Sequence, residues 1–166
     1  KSIKLATEII NSFEKKYEEK WLNMMRDKLG LFGIDEKDKF LILDLLTWMH
    51  QKKLDYTNTF CHLMSLEIEK NENFKDRDFQ NWKKRWHERL KINNNTPEKY
   101  INLMKSVNPV VIPRNHKVEE VLNEANKNNI EPLNKLLEIL NNPYSDQKDI
   151  KEFQTPSSSK EKYQTF

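Results

Sequence analysis

The chain has 166 residues, 36% hydrophobic and 33% charged, with 29 basic and 26 acidic side chains and a net charge of +3. That length suits one domain with a core of its own, and so balanced a charge excludes a surface built throughout for polyanions. Two glycines, Gly30 and Gly33, are too few for a sheet protein full of tight turns or for a glycine-rich phosphate loop, which leaves helices.

Residues 3 to about 29 place Ile10, Phe13, Tyr17, Trp21, Met24 and Leu29 at spacings near 3.6, which predicts one long amphipathic helix stopped by Gly30. Asp35 is the expected cap of a second helix, with Phe40, Leu43, Leu46 and Met49 on its apolar face. Asp55 is the expected cap of a third, through Ile68, carrying Phe60, Leu63 and Met64; a polar link, EKNENFKD, follows. In DFQNWKKRWHERLK, residues 78–91, Phe79, Trp82, Trp86 and Leu90 share one helix face. Thr96-Pro97-Glu98 joins a cap, a first-turn proline and an acid at the positive end of the helix dipole, so a helix starts there and runs to about Ser106. Lys117 to Lys127 is helical again, with Val118, Val121, Leu122 and Ala125 apolar. Glu131-Pro132 opens a last helix with Leu133, Leu136, Leu137 and Leu140 inside, and Asn142-Pro143 ends it. The pattern predicts an all-α fold: an irregular bundle of six or seven amphipathic helices over residues 1–144, then a polar extended tail over 145–166.

Little in these elements suggests chemistry. There is no G-x-G-x-x-G and no G-x-x-x-x-G-K-[ST]. The histidines, 50, 62, 87 and 116, lack zinc-ligand spacing and have no cysteine pair to join; the acidic clusters Asp35-Glu36 and Asp76-Asp78 lack the alternation of a calcium loop. No metal or cofactor is expected within these residues. Cys61 has no partner for an internal disulfide and is expected to be a small buried hydrophobe, with a reducing compartment as the default. Ser65, Ser106 and the run Ser157-Ser158-Ser159 have no His and Asp at a suggestive spacing. FLILDLLTWM, residues 40–49, is interrupted by Asp44 and too short to span a bilayer, and no signal peptide is visible. In WKKRWHERLK the alternation of cations and tryptophans fits nucleic acid, but the tryptophans lie on the apolar stripe. Core plus a solvated face of Lys83, Lys84, Arg85 and Arg89 is the stronger expectation; an independent protein- or RNA-binding module is the alternative.

One stretch departs from the helical pattern: NPVVIPRNH, residues 108–116. Pro109 and Pro113 hold the backbone extended. Val110, Val111 and Ile112 can be buried between helices, and Arg114 and Asn115 can donate to carbonyls or a carboxylate, with Asn115 the expected cap of the helix near Lys117. Asn108, Pro109, Ile112, Pro113, Arg114, Asn115 and His116 are therefore the candidate docking residues.

NPVVIPRNHKVEEVLNEA, then LNKLLEILNNPYSDQ, then a terminal YQTF resemble the C-terminal region of the selenoprotein O family, also called YdiU. WLNMMRDKLGL, DYTNTF and the W-x-x-x-W-x-x-x-L helix resemble it in the same order, so the likeness covers nearly the whole chain. The resemblance implies a longer protein with a kinase-like fold that transfers AMP from ATP to Ser, Thr or Tyr of other proteins, with magnesium or manganese. It places the catalytic groups upstream, so none maps onto residues 1–166. Chain ends at Lys1 and Phe166 agree with a piece of such a protein. Family members often carry a Cys or selenocysteine just after Tyr-x-Thr-Phe; this sequence stops at Phe166. Implied partners are the upstream kinase-like domain and the protein substrates, without membrane or nucleic acid, in the cytoplasm or in mitochondria for an organellar member. The 108–116 loop is then expected to pin the last helices onto the domain or onto the kinase-like core, with a direct role at the nucleotide as the sharper alternative.

Overall fold

The structure is a computed structural model and describes residues 2–65, 68 and 72–157. Among them are eight α-helices and no strand: α1 (Ser2–Lys28), α2 (Asp38–Gln51), α3 (Tyr56–Leu63), α4 (Arg77–Lys91), α5 (Pro97–Val107), α6 (Asn115–Ala125), α7 (Glu131–Leu140) and the four-residue α8 (Lys151–Gln154). A 3-10 turn, Glu72–Lys75, precedes α4. The fold is all-α, as the periodicity predicts.

Local signals set the helix ends. Gly30 closes α1 at φ +69, with its N–H donating to the Asp27 carbonyl at 3.0 Å and that of Leu31 to the Arg26 carbonyl at 2.9 Å. This is the Schellman pattern, whose left-handed residue favours glycine. A Cβ at Gly30 would lie 3.0 Å from the Tyr100 Cβ and 3.0 Å from its carbonyl oxygen. Gly30→Ala is therefore expected to destabilise the chain by about 2–3 kcal/mol, from backbone strain plus displacement of α5; urea denaturation checks it, and an unchanged midpoint would contradict it. Asp55 caps α3, accepting from the Asn58 N–H at 2.8 Å, and Thr96 caps α5 ahead of Pro97.

The core gathers on α4. Phe79 is fully buried, with ring centroids 4.8 Å from Trp48, 4.8 Å from Phe74 and 5.6 Å from Trp82, and Trp82 stacks on Trp86 at 5.5 Å. Both indoles of α4 also donate: Trp82 Nε1 to the Leu41 carbonyl at 2.8 Å and Trp86 Nε1 to that of Leu29 at 2.9 Å. The stripe thus ties α4 to α2 and to the end of α1. Buried on this face, the tryptophans present no stacking platform for bases, which removes the stacking basis of the RNA-binding alternative.

Several expectations need correction. α2 begins at Asp38 after Lys37, so Asp35 is not its cap, although its carboxylate accepts from the Lys37 N–H at 2.8 Å. α2 buries Leu41, Ile42, Leu45, Trp48 and Met49, while Phe40 and Leu43 face solvent. FLILDLL is apolar all round, so its periodicity could not choose a face. α3 stops at Leu63, before Ile68. The polar link hides a core residue, Phe74. Arg89 is not on the solvated face of α4 but is buried against Asp38. On α7, Leu136 and Ile139 are buried and Leu137 is exposed. Within the stretch expected to run extended, α8 forms and Ile150 and Phe153 are buried. Residues 158–166, with Ser158, Ser159 and the YQTF end, lie outside the described residues.

Candidate functional site

Residues 108–114 connect α5 to α6, and several polar groups along them reach distant parts of the chain. Asn108 is buried; its Nδ2 donates to the Lys28 carbonyl at 2.9 Å, satisfying an acceptor at the end of α1. The Val110 N–H donates to the Pro143 carbonyl at 2.7 Å, beyond α7. The Val110 carbonyl accepts from Gln154 Nε2 of α8 at 2.9 Å, and the Gln154 carbonyl accepts from Asn58 Nδ2 of α3 at 3.0 Å. Val110 and Val111 are buried and Ile112 is half-buried. Proline at 109 and 113 favours an extended connector, in which the Val110 N–H and carbonyl reach Pro143 and Gln154 respectively.

Arg114 supplies the charged anchor. Its two terminal nitrogens donate to the two Asp55 carboxylate oxygens at 2.8 and 2.9 Å, and one also reaches Asn58 Oδ1 at 3.3 Å. This fork geometry is particular to guanidinium. Asp55 therefore works twice, capping α3 and receiving α6. Burial pushes its carboxyl up, but the hydrogen bonds from Arg114 and the Asn58 N–H outweigh that and hold it below the usual range. Asn108 Oδ1 and Arg114 Nε are buried without a partner among the described residues, each a cost of about 1–3 kcal/mol that the surrounding packing offsets.

The candidate docking residues thus divide. Asn108, Pro109 and Arg114 touch α1, α3 and their surroundings, and Ile112 is half-buried. Asn115 does not cap α6: it is the first helical residue and exposed, while Arg114 takes the cap position without a side-chain cap bond because its guanidinium is held by Asp55. His116 lies in the first turn of α6, half-buried. The partner Asp55, missed at the sequence level, sits 59 residues away, and no local spacing links the two.

Cys61 borders the loop, with its Sγ 3.6 Å from the Pro109 carbonyl. Burial pushes its thiol up to about 11, aided by the negative charges of Asp55 and Asp146. Alkylation of the folded chain at pH 8 is expected to be at least tenfold slower than of the unfolded chain, because the thiolate is the reactive form. Equal rates in a timed iodoacetamide reaction would contradict that burial.

The Asp55 carboxylate is committed to Arg114 and to the cap of α3, and among the described residues no group of three or more His, Cys, Asp or Glu is gathered where a metal ion could be held. No described helix is long and apolar enough to cross a membrane.

A family model for the protein adenylyltransferase SelO matches residues 2–141. The chain is 53% identical over 166 residues to a protein nucleotidyltransferase YdiU of Pelagibacter ubique, covering 99% of this chain and 34% of that protein. YdiU nucleotidyltransferases of Nitrosococcus oceani and Clostridium perfringens are 42% and 41% identical, covering 100% and 99% of this chain and again 34% of the relative. The chain therefore spans about a third of the length of the curated relatives it matches. A family model matching most of the chain, together with relatives this similar along its whole length, makes the chain a member of the SelO family of protein adenylyltransferases.

Proposed function

We propose that this chain is the C-terminal helical region of a SelO-type protein adenylyltransferase, and that it buttresses the kinase-like catalytic part and positions the C-terminal tail. In this reading the full-length protein transfers AMP from ATP to hydroxyl side chains of proteins, with magnesium or manganese held by upstream residues, in the cytoplasm or, for an organellar member, in mitochondria. The observation that carries the structural role is the Arg114–Asp55 fork: the most phosphate-like cation site in the odd loop is already filled by a carboxylate of the same chain. A guanidinium so engaged organises helices rather than nucleotide.

The test is Arg114→Ala in the full-length protein. The melting temperature is expected to fall by several degrees, since a partly buried fork worth about 2–3 kcal/mol is lost and Asp55 is left alone. ATP affinity is expected to stay within twofold. A large loss of ATP affinity at unchanged stability would instead place Arg114 at the nucleotide. Arg114→Lys should recover only part of the stability, because an ammonium cannot make the fork.

A further inference from the structure

The long first helix carries a face that nothing among the described residues covers. Ile9, Ile10, Phe13 and Tyr17 are 59%, 70%, 67% and 61% exposed, and Phe13 packs only along its own helix, on Tyr17 at 6.1 Å between ring centroids. With 100° per residue these four positions and Met24, 47% exposed, fall within one arc of about 100°. The neighbouring arc of the same helix carries Met25, buried in the core, and Trp21, half-buried against it. The apolar stripe of α1 thus continues the core outward past the last described side chain that meets it.

We propose that this outer face of α1 is the seat of the kinase-like part of the same polypeptide, a surface deeper than, and resting on, the buttress reading above. Four observations select that occupant. The curated relatives are about three times as long as this chain, so an apolar face of this size has the remaining two thirds of a polypeptide to meet. Residues 11–20 carry three acidic and three basic side chains, Glu14, Glu18, Glu19 and Lys15, Lys16, Lys20. A membrane-surface helix or a nucleic-acid groove would need a basic flank, so the partner is protein. The exposed stripe amounts to on the order of 500 Å², short of the roughly 800 Å² per partner of a stable independent interface. A second copy would have to meet the full cost of association across it; a tethered segment does not. Finally, the loop that the sequence singled out for docking spends its bonds inside the domain, so docking falls to another surface.

The test uses the full-length protein with Phe13 replaced by a benzophenone-bearing phenylalanine, irradiated and digested. Crosslinks are expected within one polypeptide, to peptides outside these 166 residues, at several times the level given by the same probe at exposed Lys84. A product of doubled mass would assign the face to a second copy, and crosslinking no higher than at Lys84 would leave the face bare; either overturns the proposal. Phe13→Glu in the same full-length protein is expected to raise the rate of proteolysis within α1 about fivefold or more, and an unchanged rate would also overturn it. These readouts are independent of AMP transfer. Crosslinks to the kinase-like part with no dependence of catalysis on this chain would keep the docking surface and reject the buttress reading.

Discussion

Asp38→Ala is expected to cost this chain about 3–5 kcal/mol, a large fraction of a domain's ordinary stability. Asp38 is fully buried at the first turn of α2 and holds two buried arginines. Arg26 Nε donates to its Oδ2 at 2.6 Å and Arg89 Nε to its Oδ1 at 2.6 Å, so the carboxylate bridges the end of α1 to the end of α4. Arg89 also donates to the Phe32 carbonyl at 3.1 Å, and the Asp35 N–H donates to Asp38 at 3.0 Å. Removing the carboxylate leaves two buried guanidinium charges without their shared counter-charge. The large loss measures those stranded charges and not the net worth of the network. Replacing Arg26, Asp38 and Arg89 together by apolar residues of similar volume is expected to cost far less than the single change. By contrast, Arg85→Ala, which breaks a half-exposed pair with Asp44 at 2.8 Å, should shift stability by under about 1 kcal/mol.

The same carboxylate makes stability depend on acid. Burial pushes Asp38 up, but the hydrogen bonds from Arg89 and Arg26 outweigh it and hold the folded-state value below the usual range. Asp55 is held low by Arg114 in the same sense. A group depressed in the folded state contributes fully above its unfolded value of about 3.9 and loses that contribution as pH falls through the folded value. The share of stability held by Asp38 and Asp55 should therefore be flat down to about pH 5 and drop steeply below 4, with the Asp55 share of the drop removed by Arg114→Ala.

Trp86→Ala should cost about 3–5 kcal/mol, close to the Asp38 change. The indole is almost fully buried, stacks on Trp82 at 5.5 Å and donates to the Leu29 carbonyl at 2.9 Å. That carbonyl lies at the end of α1, where no further helical N–H follows to satisfy it. Trp86→Phe keeps most of the apolar volume but orphans the carbonyl, so a loss of about 1–2 kcal/mol is expected. The order Trp > Phe > Ala in chemical denaturation would confirm separate packing and hydrogen-bonding contributions; equal losses for both variants would show that the ring volume is immaterial and contradict the packing described.

What could be read from the sequence follows from how local each signal is. Gly30, Asp55 and Thr96-Pro97 act within four residues of themselves, and each ends or starts the helix its chemistry demands. The Phe79–Trp82–Trp86–Leu90 stripe is likewise local, a single helix with polar residues everywhere else. The face of α2 was not legible because its apolar residues surround the helix. The charged pivots were not legible either: Asp38 meets arginines 12 and 51 residues away, and Arg114 meets Asp55 across 59. Pairings of that kind belong to the tertiary fold and leave no spacing to find. The stripe of α1 is apolar as read, but its spacing does not say which part is covered: Met25 is buried, whereas Ile10, Phe13 and Tyr17 are exposed. In the loop, prolines announced an extended connector, but Asn115 looked like a cap only until the cap position was taken by an arginine bound elsewhere.

The central claim is that this chain supports a nucleotidyltransferase without carrying its chemistry. The most direct measurement is transfer of AMP from ATP labelled at the α-phosphate, comparing the upstream polypeptide alone, this chain alone and the two mixed. The expected result is no label with this chain alone, weak labelling by the upstream part, and restoration on mixing. Labelling by this chain alone, or full labelling by the upstream part unaffected by mixing, would contradict it.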